Sequence, residues 1–363
     1  MKILTHLTLS CLLISIPCVG FAQESPTDTA QTVASIVGQL TEEQKQSIQE
    51  GDIETIAKIA EQSGIDPDDV EALSSFAREL VTQSLEGLTG SDFDAAVEVT
   101  AKTVVQAVSQ FAFAQTSASE IVVVAISRSA TRAAVEKAAS VDGANVPAAA
   151  KAAAKGSAQG AVEAAAEADL DVSTAANAAA KGASSGAIEA TADDGAEAQA
   201  EAVSQASSGA VEGAITAAKA AGESTSEASR AAATGSAEGA VEAAVEAGLD
   251  LGTAANAAAK GASSGAIEAT AEDGAEAQAE AVSEASSGAV EGATEAARDS
   301  GQDAQEVQEV ANQASEGSQE GAGGAEVEPA TPPAVVTPGP TSEGGSGDVD
   351  DPVIVVSPEG PQA

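Results

Sequence analysis

The sequence predicts an all-α protein: a small N-terminal helical domain, then Ala/Gly-rich antiparallel helical repeats forming a solenoid or elongated bundle, then a disordered Pro/Gly-rich C-terminal tail. Three observations carry this prediction. The 41 residues from Thr174 to Ala214 recur at Thr253–Ala293 with two changes, Asp193 to Glu272 and Gln205 to Glu284, and internal repetition builds stacked surfaces. Alanine, the residue with the highest helix propensity, dominates this region. No proline falls between Pro147 and Pro329, while turn and cap signals recur at regular spacing.

Residues 1–22 read as a signal peptide: Lys2, the apolar stretch LTLSCLLISI, Pro17 and the small-residue ending Gly20-Phe21-Ala22. The expected product is therefore secreted, periplasmic or extracellular. No other stretch approaches the 18 or so apolar residues that span a bilayer; Ile121–Ile126 is six residues long.

Residues 23–116 have an ordinary composition and predict a small domain of four or five helices. Thr41 and Gln44 form a capping box ahead of the first, and Asp66 with Pro67 is expected to start another. Ser91 is expected to cap a long helix from Phe93. Asp66, Asp68 and Asp69 lack the spacing, glycine and terminal glutamate of a calcium loop and read as a helix start.

Residues 117–321 form the repeat region, with a 79-residue unit of three helices. Leu, Ile and Val fall to about one residue in ten, a level that with high net charge marks disorder unless helices pack collectively. Taking Gly160, Gly186, Gly209, Gly239, Gly265 and Gly288 as a ruler gives uneven steps whose pattern recurs after every third, so each unit holds three smaller ones. Helices are expected near 147–168, 174–192, 195–221, 225–247, 253–271 and 274–298. Asp194-Gly195-Ala196-Glu197, its counterpart at Asp273–Glu276, and Ser224 with Glu227 supply the expected capping boxes. Gly222 and Gly248 supply the C-terminal stops.

Alanine seams such as Ala176, Ala180, Ala183, Ala187 and Ala190 follow coiled-coil spacing. Eight such methyls contribute only about 6 kcal/mol at about 0.8 kcal/mol each. Fixing the backbone of a 20-residue helix opposes that with about 1–2 kcal/mol per residue. Stability must therefore be summed over neighbours.

The glycine pairs Gly182/Gly186, Gly209/Gly213, Gly261/Gly265 and Gly288/Gly292 are the candidate functional positions. Each mid-helix glycine costs about 1 kcal/mol relative to alanine, and the expected return is close backbone approach by a neighbouring helix on the face opposite the alanine seam. With three helices per unit and short turns, the two copies are expected to be related by a twofold rather than by translation.

Residues 322–363 hold eight of the twelve prolines and predict a linker ending in a strand-like peptide, Val353, Ile354, Val355 and Val356, a candidate docking strand for a partner's sheet edge. The neighbouring Asp348, Asp350 and Asp351 predict at most weak divalent-cation binding.

The net charge of −42 argues against nucleic acid as a partner. After residue 22 the chain contains no Cys, His, Met, Trp or Tyr. Thiolate or imidazole catalysis and Cys or His metal sites are thereby excluded, and no cofactor is expected. A carboxylate-pair glycosidase would want aromatic platforms; Glu163, Glu189 and Glu212 read instead as a solvated helix face. The expected function is an exported, non-enzymatic structural or interaction protein, its repeats a spacer or assembly surface open to a protein partner or self-association. The alternative is an ice-binding or desiccation-protective protein acting through an Ala/Ser/Thr-rich helical surface, since the composition loosely resembles the Ala-rich helical antifreeze and late-embryogenesis-abundant proteins.

Overall fold

The computed structural model describes residues 37–114 and 119–323, together with Val33 and Ser35. The expected signal peptide and the tail peptide Val353–Val356 lie outside the described residues. Among these residues there is no strand, and twelve helices are bounded at both ends. They are α1 (Glu42–Gln49), α2 (Ile53–Ser63), α3 (Val70–Ser84), α4 (Gly90–Phe113), α5 (Ser119–Ser140) and α6 (Val146–Glu167), followed by α7 (Val172–Ala190), α8 (Ala196–Ala221), α9 (Thr225–Ala247), α10 (Leu251–Thr270), α11 (Ala275–Asp299) and α12 (Ala304–Gly321). The protein is all-α.

Local chemistry sets most boundaries. Thr41 and Gln44 make the reciprocal capping box at α1. The side chains of Asp52, Asn145, Asp171, Ser224, Asp250 and Asp303 accept backbone N–H groups of the first turns they precede. Gly222 and Gly248 end α8 and α9 in the left-handed conformation.

Four expected caps are displaced. Asp66 closes a turn by accepting the N–H of Asp68, and Asp69 caps α3 instead. The helix expected to begin after Ser91 starts at Gly90, behind Thr89, which makes no side-chain cap bond. Gly195 and Gly274 are themselves the N-caps of α8 and α11, at φ +88° and +94°. Asp194 and Asp273 therefore sit one position too early to cap these helices.

From α3 to α10, each helix packs more extensively on the helix two further along than on the next one. The result is two layers, one of α3, α5, α7, α9 and α11, the other of α4, α6, α8, α10 and α12. Ser184 meets Ser207 at 3.3 Å while Gln199 donates to the carbonyl of Ala192 at 3.1 Å. As the α7 number rises the α8 number falls, so sequential helices are antiparallel and same-layer helices parallel. The duplicated helices α7 and α10 therefore occupy opposite layers, as do α8 and α11: an odd number of antiparallel helices per unit carries each copy across.

The head is built around Ile48, Ile56, Leu73, Phe76, Leu80, Leu85 and Phe93, all essentially inaccessible. The repeat core is alanine with buried hydroxyls; Thr131 pairs with Ser157, Ser184 with Ser207 and Ser263 with Ser286 across the layers. The expected boundary at 116/117 lies outside the described residues. All described residues belong to one compact unit, because α6 stacks directly on α4.

Candidate functional site: a glycine and ion-pair ladder

Every helix from α6 to α12 carries two glycines four residues apart, and both face the helix two earlier. Gly182 and Gly186 lie against the carbonyls of Val124 and Arg128. Gly209 and Gly213 lie against Lys151 and Lys155, Gly261 and Gly265 against Ser204 and Ser208, and Gly288 and Gly292 against Arg230 and Thr234. A methyl at any of these positions would overlap the facing backbone. Three pairs outside the predicted set do the same: Gly156/Gly160 on Glu98 and Lys102, Gly235/Gly239 on Asn177 and Lys181, and Gly317/Gly321 on Asn256 and Lys260. Their signal in the sequence is regular recurrence: the first members Gly156, Gly182, Gly209, Gly235, Gly261 and Gly288 follow at a nearly constant interval, and Gly317 only slightly later. The ruler from Gly160 to Gly288 was uneven because it mixed first and second members of these pairs. The period of the fold is one helix.

The glycine face lies about a third of a turn from the alanine seam, at about 100° per residue. The seam of α7 is buried from Ala176 to Ala187. In α8 the positions with the same spacing, Val203, Ser207, Ala210, Ala214 and Ala217, are buried, while Ala196 and Ala221 near the helix ends are exposed.

Close backbone approach brings charged side chains into a second regularity. Three residues beyond a glycine stands a glutamate, reaching back over the helix that the glycine touches. Lys102 meets Glu163 at 2.6 Å, Lys181 meets Glu242 at 2.8 Å, Arg230 meets Glu291 at 2.7 Å and Lys260 meets Glu320 at 3.4 Å. Arg128 pairs with Glu189, and Lys151 with Glu212 at 3.6 Å. Where α8 offers serines instead, Glu268 of α10 reaches across to Lys151 of α6. Glu163, Glu189 and Glu212 are thus not a solvated face: their side chains are only 28%, 20% and 18% exposed.

The electrostatics follow from this half-burial. Burial pushes the Lys155 ammonium down, but Glu212 and Glu98 outweigh it and hold its pKa above the usual value. Lys181 behaves alike under burial, Glu242 and Glu238. Glu238 goes the other way: burial lifts its carboxyl above the usual range, and Lys181 only partly offsets it.

Among the described residues, no group of three or more His, Cys, Asp or Glu is placed to hold a metal ion, and no helix is long and apolar enough to cross a membrane. The aspartates at 348–351, expected to bind cations weakly, lie outside them.

No protein-family model and no curated protein matches the chain. Among solved structures it is similar to one described as "Circular tandem repeat protein with novel repeat topology and enhanced subunit contact surfaces". The identity is 14%, the match covers 80% of this chain and 71% of that one, and the TM-score is 0.26.

Proposed function

We propose that this is an exported, non-enzymatic structural or interaction protein whose repeat acts as a stiff spacer or assembly surface. One observation supports the reading: the same backbone contact recurs at one-helix steps from α6 to α12, so each helix is positioned by its predecessors and the array carries position along its length. Both ends of the ladder are closed. The Leu/Ile/Phe head covers the start, and α12 turns Asn312, Glu316 and Gln319 to solvent at the other, the polar outer face that a terminal repeat needs.

The test is removal of residues 172–250, which joins Asp171 to Leu251 and deletes one 79-residue unit. In a modular spacer α10 takes the place of α7, because the two sequences are nearly identical. The shortened chain is expected to melt cooperatively with proportionally less helix, and spin labels on α5 and α12 to come closer by on the order of 10 Å, since within-layer helices are about 8–10 Å apart. A molten or insoluble product would remove the spacer reading. Retention of the full chain inside a producing cell, equal to that of a chain lacking residues 1–22, would remove export.

A further inference from the structure

The ladder gives every helix a register, and in that register α5 departs from the other helices at two positions. The residue four beyond the second backbone acceptor is Gln159 in α6, Ser185 in α7, Glu212 in α8, Glu238 in α9 and Ser264 in α10; in α5 it is Arg132. The residue three before the first acceptor is Ala148, Thr174, Glu201, Glu227 and Thr253 in the same helices; in α5 it is Ile121. Ile121 is 65% exposed, the most open large apolar side chain among the described residues. Ile121, Ala125, Arg128 and Arg132 follow helical spacing and form one outward stripe.

That stripe floors an open groove of about 580 Å³ between α3, α5 and α7. Neither α3 nor α5 has a glycine pair: in the shared register, Ser129 and Ala133 of α5 stand where α6 has Gly156 and Gly160. Correspondingly, α3 is short and packs on α5 less extensively than later same-layer neighbours do on each other. The groove is lined by Arg78, Arg128, Arg132 and Lys181 against Glu120 and Glu189, so three of the chain's five arginines meet here. Two other grooves among the described residues are acidic: one is lined by Asp250, Glu306 and Glu309 with no basic residue, the other by Asp194, Glu197 and Glu201 with Lys260.

The arginines are held ready. Arg78 pairs with Glu136 at 2.8 Å, Glu136 with Arg132 at 2.7 Å, Arg132 with Glu189 at 3.0 Å, Glu189 with Arg128, and Arg128 with Glu246 at 3.4 Å. This alternating chain crosses α3, α5, α7 and α9. A guanidinium has five N–H donors, and these pairs use one or two of each, leaving donors on half-exposed groups for another carboxylate.

We propose that this groove is a docking site for an acidic peptide segment of a partner protein, one in which carboxylates alternate with aliphatic side chains. The carboxylates bind Arg78, Arg128 and Arg132, and the aliphatic groups cover Ile121 and Val124. The proposal does not depend on the spacer reading.

The test is fluorescence anisotropy of a labelled decapeptide of alternating aspartate and valine, titrated with the full chain. Binding is expected to weaken several-fold between 50 and 300 mM salt. Ile121→Asp, at an exposed site whose change leaves the fold intact, and Arg78→Gln are each expected to weaken it about tenfold, or about 1.4 kcal/mol. Arg298→Gln, at an exposed position outside the groove, is expected to leave binding unchanged, and the melting curves of Ile121→Asp and Arg298→Gln are expected to match that of the wild type. A serine-for-valine peptide is expected to bind more weakly. Equal binding by Ile121→Asp and wild type, equal binding of the serine peptide, displacement by malonate at the peptide's own concentration, or no binding at all would each overturn the proposal.

Discussion

Gly239 of α9 rests on the main chain of Lys181 in α7, so closely that an added methyl would lie 2.8 Å from the Lys181 carbonyl carbon and closer still to its oxygen. The same lysine then extends along α9 to meet Glu242 at 2.8 Å and Glu238 at 3.5 Å. One residue thus supplies the surface for a glycine with its backbone and a counter-ion for two glutamates with its side chain. Stacking and charge pairing share one register.

Gly239→Ala is the direct probe of that contact. In an open helix the change would stabilise by up to about 1 kcal/mol; here overpacking against backbone is expected to destabilise by about 2 kcal/mol or more. Gly252→Ala is the control, since its methyl would meet only side chains, the flexible Gln313 at 3.1 Å and the Asp250 carboxylate at an ordinary 3.5 Å, and its melting temperature is expected to stay level or rise. Urea denaturation of the two variants checks this, and equal behaviour would remove the packing role of the glycine.

Asp169 adopts φ +54°, alone among the non-glycine residues described. In the other copy of the repeat Gly248 takes this position, at φ +68°. The left-handed conformation costs an L-residue about 1–2 kcal/mol, so Asp169→Gly is expected to stabilise by about 1 kcal/mol, allowing for glycine's looser unfolded chain. Thermal melting by circular dichroism reads it.

Glu238 offers a pH test with a definite sign. Burial raises its pKa in the folded protein, so its favourable contribution is complete below the ordinary carboxylate value and is lost as pH rises through the folded value. Gln159 holds the equivalent place in α6, so glutamine fits. Glu238→Gln is expected to melt higher than wild type at pH 7, with Lys181 keeping Glu242, and the two curves are expected to converge below about pH 4, near the ordinary glutamate value of about 4.3. A gap that persists at acid pH would show that charge is not the cause.

Lys155 bridges three helices, meeting Glu98 of α4 at 3.3 Å and Glu212 of α8 at 3.0 Å. Lys155→Met keeps the aliphatic stem and leaves two carboxylates without this partner. The expected loss is about 1 kcal/mol at low salt, as for partly exposed pairs. It should shrink in 1 M salt, where the screening length is about 3 Å. Paired urea titrations at the two salt concentrations measure the difference.

Several helix limits were legible because their causes are local. The capping box at Thr41, the Ser224 cap, the αL stops at Gly222 and Gly248, and Pro147 in the first turn of α6 each act within a few residues. Predicted limits from α6 to α11 fall within two residues of those observed. The caps that failed, at Asp66, Ser91, Asp194 and Asp273, failed where Asp69, Thr89 and two glycines with positive φ took the position. The candidate glycines were legible by their pairwise spacing; Gly156, Gly235 and Gly317 recur at nearly the same step, but a ruler that mixed first and second members of the pairs hid them.

By itself, then, the sequence determined helices, their ends, their antiparallel order and the presence of small residues for close approach, since propensity, capping and chain connectivity are properties of short segments. Only the tertiary structure decided that the repeating step is one helix, that each glycine pair faces backward onto the second-last helix, and that half-buried glutamates answer basic residues of that same helix. Those relations depend on which backbones come within van der Waals contact, and in a chain where nearly every face is alanine, side-chain pattern alone does not select among them.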